Sequence, residues 1–226
     1  MKKITIIDNS INYNFYSPVE HWKPYFKGKL ILFKAIKNEF PNLRENCTHL
    51  LLTGSESTIM ERPEWVLKEI EVIQEAVRIG VPVLGSCYGH QLLAFALSGP
   101  EVVRHSSKPE IGWIKIDILK PQGIFEGMNK EIYSFSSHFD EVWNLPQEYE
   151  ILASSPDCEV QAFQYDKKPV WGIQFHPEID IQTAQKFLEK GRYYMKEHAY
   201  LFEKALNSTP KDSKITQKII DNFLKF

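Results

Sequence analysis

Cysteine is scarce in this chain: Cys47, Cys87 and Cys158 are the only three in 226 residues. An odd, widely spaced set excludes a disulfide framework. With no secretory leader it reads as reduced thiols in a cytoplasmic protein. No Cys/His cluster has zinc-finger spacing, so neither a metal nor a cofactor is expected. Charge of one sign is lacking as well. The net charge is -2, which gives nucleic acid no electrostatic handle. No apolar run reaches the length of a membrane span. The opening Met1-Lys-Lys-Ile-Thr-Ile-Ile-Asp8 has too short an apolar stretch for a signal peptide, and a first buried strand fits it better. Internal repeats, low-complexity tracts and linkers are absent too, so one domain over 1–226 is expected. What is present is a hydrophobic content of 43%, enough for a full core.

The first half alternates strands with crossovers. Ile4–Ile7, Leu30–Phe33, His49–Thr53 and Val81–Leu84 read as strands. Pro63–Ile79 reads as an amphipathic helix with Val66, Ile70, Ile73 and Val77 on one face and Gly80 closing it. Such alternation argues for a parallel sheet flanked by helices. Ligands then gather at the strands' carboxyl ends, where Asp8, Gly54-Ser55 and Cys87 all fall. After Gly99 the character changes. Glu101–His105, Gly112–Leu119, Glu131–Ser136, Glu150–Ser154, Glu159–Tyr165 and Pro169–Phe175 are short β candidates, read as antiparallel hairpins added to the sheet. Asp180 to about Leu206 reads as helical. A last short helix is expected from Asp212 or Ser213 to Phe226.

Chemistry concentrates in two stretches. Gly85-Ser-Cys-Tyr-Gly89 joins a strand to a helix and has the form of a nucleophile elbow with cysteine at its tip. Two glycines admit the tight turn and close backbone approach. The helix N-terminus beside Cys87 favours an anionic sulfur. The second stretch is Gly172-Ile-Gln-Phe-His-Pro-Glu178. His176 and Glu178 are two apart, so an extended backbone projects them to one side. An imidazole can take the thiol proton, and a carboxylate on its far nitrogen fixes the tautomer.

Together, Gly85-Ser-Cys-Tyr-Gly-His-Gln91 and Gly172–Glu178 resemble a class I, triad-type glutamine amidotransferase domain. Ser136-Ser-His-Phe-Asp-Glu-Val142 is similar to the S-H-x-D-x-V element of its GMP-synthase-like, stand-alone branch. The resemblance covers about 1–195 and leaves a helical tail at about 199–226, which either covers the sheet or meets a partner. It implies an α/β, flavodoxin-like fold with a mixed, largely parallel sheet flanked by helices and added antiparallel hairpins. It also implies a catalytic set of Cys87, His176 and Glu178. Cys87 attacks the carboxamide of glutamine, a γ-glutamyl thioester forms, ammonia leaves, and water releases glutamate. The implied oxyanion site is the Tyr88 N–H with the Gly54-Ser55 turn. The implied substrate contacts are Gln91, Asp140 for the α-amino group, and the backbone around Ser136, Ser137 and His138 for the α-carboxylate. The turn reads Thr53-Gly-Ser-Glu56 where many members carry Gly-Gly-Pro. This form resembles both the stand-alone GMP-synthase-like proteins and the γ-glutamyl peptidases. With no room for a synthetase domain, an ammonia acceptor is expected on a partner chain.

The alternative is the same acyl chemistry on another γ-glutamyl bond, as a γ-glutamyl peptidase or hydrolase. A third reading is a catalytically silent regulatory or binding protein. His90 reads as a packing residue, and Cys47 and Cys158 as core. The aromatic segment Tyr13–Phe26 reads as packing, with a pocket wall as its other reading.

Overall fold

The computed structural model describes residues 2–61 and 64–226. Met1 and Pro63, which the sequence places before the first strand and at a helix start, lie outside the described residues. The described chain runs β1 (Lys3–Asp8), α1 (Pro18–Trp22), β2 (Lys29–Lys34), α2 (Leu43–Asn46), β3 (His49–Leu52), α3 (Glu64–Arg78), β4 (Val83–Ser86) and α4 (Tyr88–Ser98). It continues with β5 (Val103–Ile118), β6 (Glu131–Val142), β7 (Tyr149–Ser154), β8 (Ala162–Tyr165), β9 (Val170–Ile173), α5 (Ile181–Tyr194), α6 (Ala199–Leu206) and α7 (Thr216–Phe223).

One mixed sheet carries the strands in the order β2-β1-β3-β4-β9-β8-β7-β5-β6. The pairings from β2 to β9 are parallel, and those from β9 to β6 antiparallel. The expected parallel half and hairpin half therefore meet at β9, beside the elbow strand β4.

Period-two alternation divides the apolar residues between two faces. On one side Leu50, Leu52 and Val83 pack with Val66, Ile73 and Val77 of α3 and with Leu92 and Leu93 of α4. On the other side Ile4, Ile6, Leu51 and Leu84 pack with Trp22 of α1 and with Ile219, Ile220 and Phe223 of α7. The tail thus covers the sheet. Each such side chain is worth about 1.5–3 kcal/mol of burial. Asn222 clips the end of α7 in place, its amide donating to the carbonyls of Ile124 (3.0 Å) and Glu126 (2.9 Å). A third cluster, Phe15, Tyr16, Phe135, Leu188, Phe202 and Ala205, holds α5 and α6 against β6 and the loop after β1.

Several elements differ from their sequence reading, each for a local reason. The separate β candidates at 101–105 and 112–119 are one strand, β5, in which residues 106–109 bulge out opposite Phe139. Strand β6 runs on to Val142 because β5 pairs with it across the bulge. The expected single helix from Asp180 to Leu206 is two. Met195 leaves helical geometry (φ -109°, ψ 62°), and α6 folds back so that the Phe202 ring fills the space a Cβ at Gly191 would occupy. The last helix begins only at Thr216, after Lys214 adopts φ 53°. On α3, Val66, Ile73 and Val77 are buried as expected, Ile70 is half-buried, and Glu69 is buried beside them.

Candidate active site

The elbow is what the spacing of the glycines requires. Cys87 sits between β4 and α4 at φ 50°, ψ -107°, a conformation that costs a residue with a Cβ about 1–3 kcal/mol. Surrounding contacts enforce it. The Cys87 N–H donates to Ile173 O at 2.8 Å, and the Gly89 N–H donates to Thr53 O at 3.1 Å. A Cβ on Gly85 would stand 2.3 Å from Gly89 O, and one on Gly89 would stand 2.4 Å from Leu52 O. Neither carbonyl can retreat, because both belong to the turn or to the neighbouring strand.

Strand β9 carries the second stretch to the same place. The His176 N–H donates to Phe135 O (2.8 Å), which fixes the backbone just past the strand end. His176 Nδ1 donates to Glu178 Oε1 at 2.8 Å, with both side chains buried. With Nδ1 committed, the ring faces the thiol through Nε2. Burial alone would lower the basicity of His176. The negative charges of Cys87 and Glu178 outweigh it and raise the pKa to about 10.

Tyr16 completes the arrangement, and the sequence does not single it out. Its hydroxyl donates to the same Glu178 oxygen at 2.9 Å and lies 3.3 Å from His176 Nδ1. The two rings meet edge to face, with centroids 5.7 Å apart. Burial, then the nearby Glu178 and Cys87 charges, hold the phenol well above its ordinary pKa, so it remains a donor. The loop bearing Tyr16 is tied down by Glu56, whose carboxylate accepts from the Ile11 and Asn12 N–H groups (3.0 and 3.3 Å). The aromatic stretch at 13–26 therefore does both jobs that its composition suggested. Trp22 is core, while Phe15 and Tyr16 wall the site.

A cavity of about 300 Å³ opens above Cys87. Of the residues singled out in the sequence, Cys87, His176, Ser55, Tyr88, Gln91, Ser137, His138 and Asp140 line it. Glu178 lies behind His176. Gly54 lies against the imidazole, since a Cβ there would come within 3.1 Å of both His176 Cε1 and the Tyr16 hydroxyl. Ser137 presents its carbonyl 3.8 Å from Cys87 Sγ. The Gln91 amide donates to Asp140 O (2.9 Å) and Gln174 Oε1 (3.2 Å), joining α4 to β6 and to the residue that follows β9. One carboxylate oxygen of Asp140 meets His105 Nδ1 at 2.6 Å and the other accepts from Thr58 Oγ1 at 2.5 Å. Asp8, placed by its strand end near this crevice, stands outside the cavity lining. Its carboxylate shapes the following loop instead, taking hydrogen bonds from Ser10 and Tyr13.

His138 reaches the cavity only through its segment. Its ring is buried, with Nδ1 donating to Asp140 O (3.0 Å) and Nε2 bonded to Glu110 (2.9 Å). Glu110 also accepts from Ser155 and Gln161. Glu110, His138 and Cys158 stand within 4.8 Å of one another, a trio with metal-ligand chemistry drawn from distant parts of the chain. With the Glu110 carboxylate serving those three donors, the trio reads as a hydrogen-bonded brace under β6 rather than a cation site. His90 packs on the Phe163 ring, as a buried residue without a catalytic neighbour would. No helix of the described residues is long and apolar enough to cross a membrane.

Known proteins resemble this chain over most of its length. The model of the family glutamine amidotransferase class-I matches residues 6–195. A subunit of the glutamine-hydrolysing GMP synthase of Methanopyrus kandleri is 35% identical over 160 residues, 71% of this chain and 79% of that one. The corresponding GMP synthase subunit of Methanothermobacter thermautotrophicus is 42% identical over 110 residues, which is 49% of this chain and 56% of that protein. Among solved structures, a glutamine amidotransferase from Thermotoga maritima superposes with a TM-score of 0.81 at 20% identity, covering 99% of this chain and 96% of that one. A GMP synthase subunit from Thermoplasma acidophilum gives 0.73 at 23% identity, over 100% and 93%. At these identities the structures speak for the fold alone.

Proposed function

The chain belongs to the class-I glutamine amidotransferase family, and from that premise we propose that it hydrolyses the side-chain amide of glutamine through a γ-glutamyl thioester on Cys87. The observation that carries the reading is the buried His176–Glu178 pair, 2.8 Å apart, set beside a cysteine held at an elbow. The anionic sulfur of Cys87 attacks the carboxamide carbon. The oxygen of that carbonyl turns toward the Tyr88 N–H and the Gly54-Ser55 turn, donors of a kind worth about 3 kcal/mol each to a developing oxyanion. His176 gives its Nε2 proton to the leaving nitrogen and then draws one from the water that attacks the thioester. Glu178, steadied by Tyr16, holds the imidazole in the required tautomer. These side chains and backbone donors carry every step of the scheme without a cofactor or metal.

Asp140 receives the substrate's α-ammonium, with Gln91 beside it, and the backbone around Ser136, Ser137 and His138 receives the α-carboxylate. The products are glutamate and ammonia, and the ammonia passes to an acceptor on a partner synthetase chain. Support for a partner comes from relatives that are each named as one subunit of a glutamine-hydrolysing GMP synthase. We take residues 1–226 as one domain, since α6 and α7 pack into the same cores as the sheet. A cytoplasmic site of action belongs to the proposal, because the chemistry needs Cys87 as a free thiol, which a reducing compartment maintains. The test is release of glutamate and ammonia from glutamine by the purified protein, with Cys87→Ala as control. Release abolished by that substitution is the expected result. Turnover that survives it would refute the assignment.

A further inference from the structure

One end of the cavity is polar, with Ser55, Glu56, Thr58, His105 and Asp140. Asp140 is the buried carboxylate of this end, and both of its oxygens already have donors. Oδ2 accepts from Thr58 Oγ1 at 2.5 Å, and Oδ1 accepts from His105 Nδ1 at 2.6 Å. A carboxylate withdrawn from water needs such partners. The substrate's α-ammonium, placed on Asp140 above, has to reach the same two oxygens. One of the present donors must give way.

The two donors are built differently. Thr58 belongs to the frame: its hydroxyl also accepts from the Met60 N–H at 3.1 Å, which fixes the oxygen where it stands. The His105 side chain is 70% exposed. Among the described residues, Asp140 is the one hydrogen-bond partner of its ring. Its backbone is the last β5 position paired before the bulge at 106–109. The ring is therefore tethered over the cavity by a single bond and has open solvent to swing into. Neighbouring charged and titratable groups are engaged elsewhere. Arg104 pairs with Glu141 (2.8 Å) and lies over the Trp143 ring. His138 is bonded to Glu110 (2.9 Å), His198 stacks on Phe139 (4.5 Å), and His176 serves Glu178. Glu56, the other carboxylate of the polar end, is taken by the Ile11 and Asn12 N–H groups. The contest for Asp140 Oδ1 is between His105 and the ammonium.

We propose that His105 sets the affinity for the amino-acid head by standing in for it: the ring holds the Asp140 carboxylate in the free protein and is displaced when the α-ammonium binds. The inference rests on the reading of Asp140 as the ammonium site and adds the residue that competes for it. An ammonium carries its charge permanently and makes a charge-assisted bond to the carboxylate, so it wins against an exposed imidazole. Binding is weakened by the bond that has to be broken first. The same bond keeps Asp140 aimed into the cavity while the site is empty.

The experiment measures binding rather than turnover, so that it stands apart from the thioester chemistry. L-glutamine is titrated calorimetrically into the full chain carrying Cys87→Ala, alone and combined with His105→Ala, His105→Arg or Asp140→Asn. His105→Ala removes the competitor and should tighten binding by about two- to fivefold, the range of an exposed ion pair. His105→Arg puts a permanent, forked cation on Asp140 and should weaken binding by about tenfold or more. Asp140→Asn should also weaken it by about tenfold or more. Glutaramate, which is glutamine without its α-amino group, has nothing to displace the ring and should gain no affinity from His105→Ala. Unchanged or weaker glutamine binding in His105→Ala, no weakening in His105→Arg, or an equal gain for glutaramate overturns this inference alone. Glutamine binding indifferent to Asp140→Asn overturns the ammonium site and this inference with it. Failure of the Cys87→Ala chain to bind glutamine at all overturns the proposed substrate as well.

Discussion

Replacing Tyr16 by Phe removes one oxygen atom and leaves the ring in its packed position. The hydroxyl donates to Glu178 Oε1 at 2.9 Å, the same oxygen that accepts from His176 Nδ1 at 2.8 Å. A hydrogen bond to a buried charged group contributes about 1.5–3 kcal/mol, and each 1.4 kcal/mol is a factor of ten. If the bond serves to position the triad, kcat/KM for glutamine should fall by about ten- to a hundredfold. KM should change little if the substrate head sits as proposed, since the lost hydroxyl bonds Glu178 and not a group at the polar end of the cavity. The pH profile supplies the readout that simple destabilisation would not move. Burial lowers the basicity of His176, whereas Cys87 and Glu178 raise it to about 10. With the hydroxyl gone, the full charge of Glu178 acts on the imidazolium and raises that value further. The alkaline limb of kcat/KM should therefore shift to higher pH in Tyr16→Phe, while far-UV circular dichroism stays close to wild type. Activity within twofold of wild type with an unshifted alkaline limb would refute a positioning role.

Gly54→Ala places a methyl group 3.1 Å from His176 Cε1 and the Tyr16 hydroxyl; glutaminase activity should drop at least tenfold with the fold intact by circular dichroism. Gly85→Ala meets backbone at 2.3 Å, so it should destabilise by more than about 3 kcal/mol, seen as a lower urea midpoint or as insoluble protein. Glu69, buried on α3 against the elbow residue Tyr88, has its pKa raised by burial from 4.5 to about 8. The folded protein keeps a proton there that the unfolded chain releases, so stability is lost as pH rises from 4.5 to about 8, at up to about 1.4 kcal/mol per pH unit. Glu69→Gln should flatten that decline in urea unfolding series, and an unchanged slope would contradict the burial argument.

What the sequence exposed, and what it hid, follows from how far apart the partners stand. The elbow is local: Gly85, Cys87 and Gly89 must be small, reactive and small because one turn forces carbonyls within 2.4 Å of the missing Cβ positions. His176 and Glu178 are likewise two residues apart on a strand end. Tyr16 is 160 residues from His176, and nothing in Asn14-Phe-Tyr-Ser17 distinguishes it from a core aromatic. Nothing in Ser136-Ser-His-Phe-Asp140 says where the His138 ring goes; Glu110, its pairing partner on strand β5 at the edge of a bulge that no periodicity announces, takes it. Glu69 falls at helical spacing from Val66, Ile73 and Val77, and a charged residue there reads as solvated until the sheet is in place. The break at Met195 is hidden for the same reason. Helix propensity continues through it, and tertiary packing of Phe202 on Gly191 decides otherwise.

The account turns on a covalent intermediate at one sulfur. Acid quenching of the protein during turnover of glutamine, followed by intact-mass and peptide mass spectrometry, looks for it directly. The prediction is a single γ-glutamyl group on the peptide bearing Cys87, lost on longer incubation and absent from Cys87→Ala. Glutamate release with no adduct on that peptide, or release that persists in Cys87→Ala, would contradict the account at its centre.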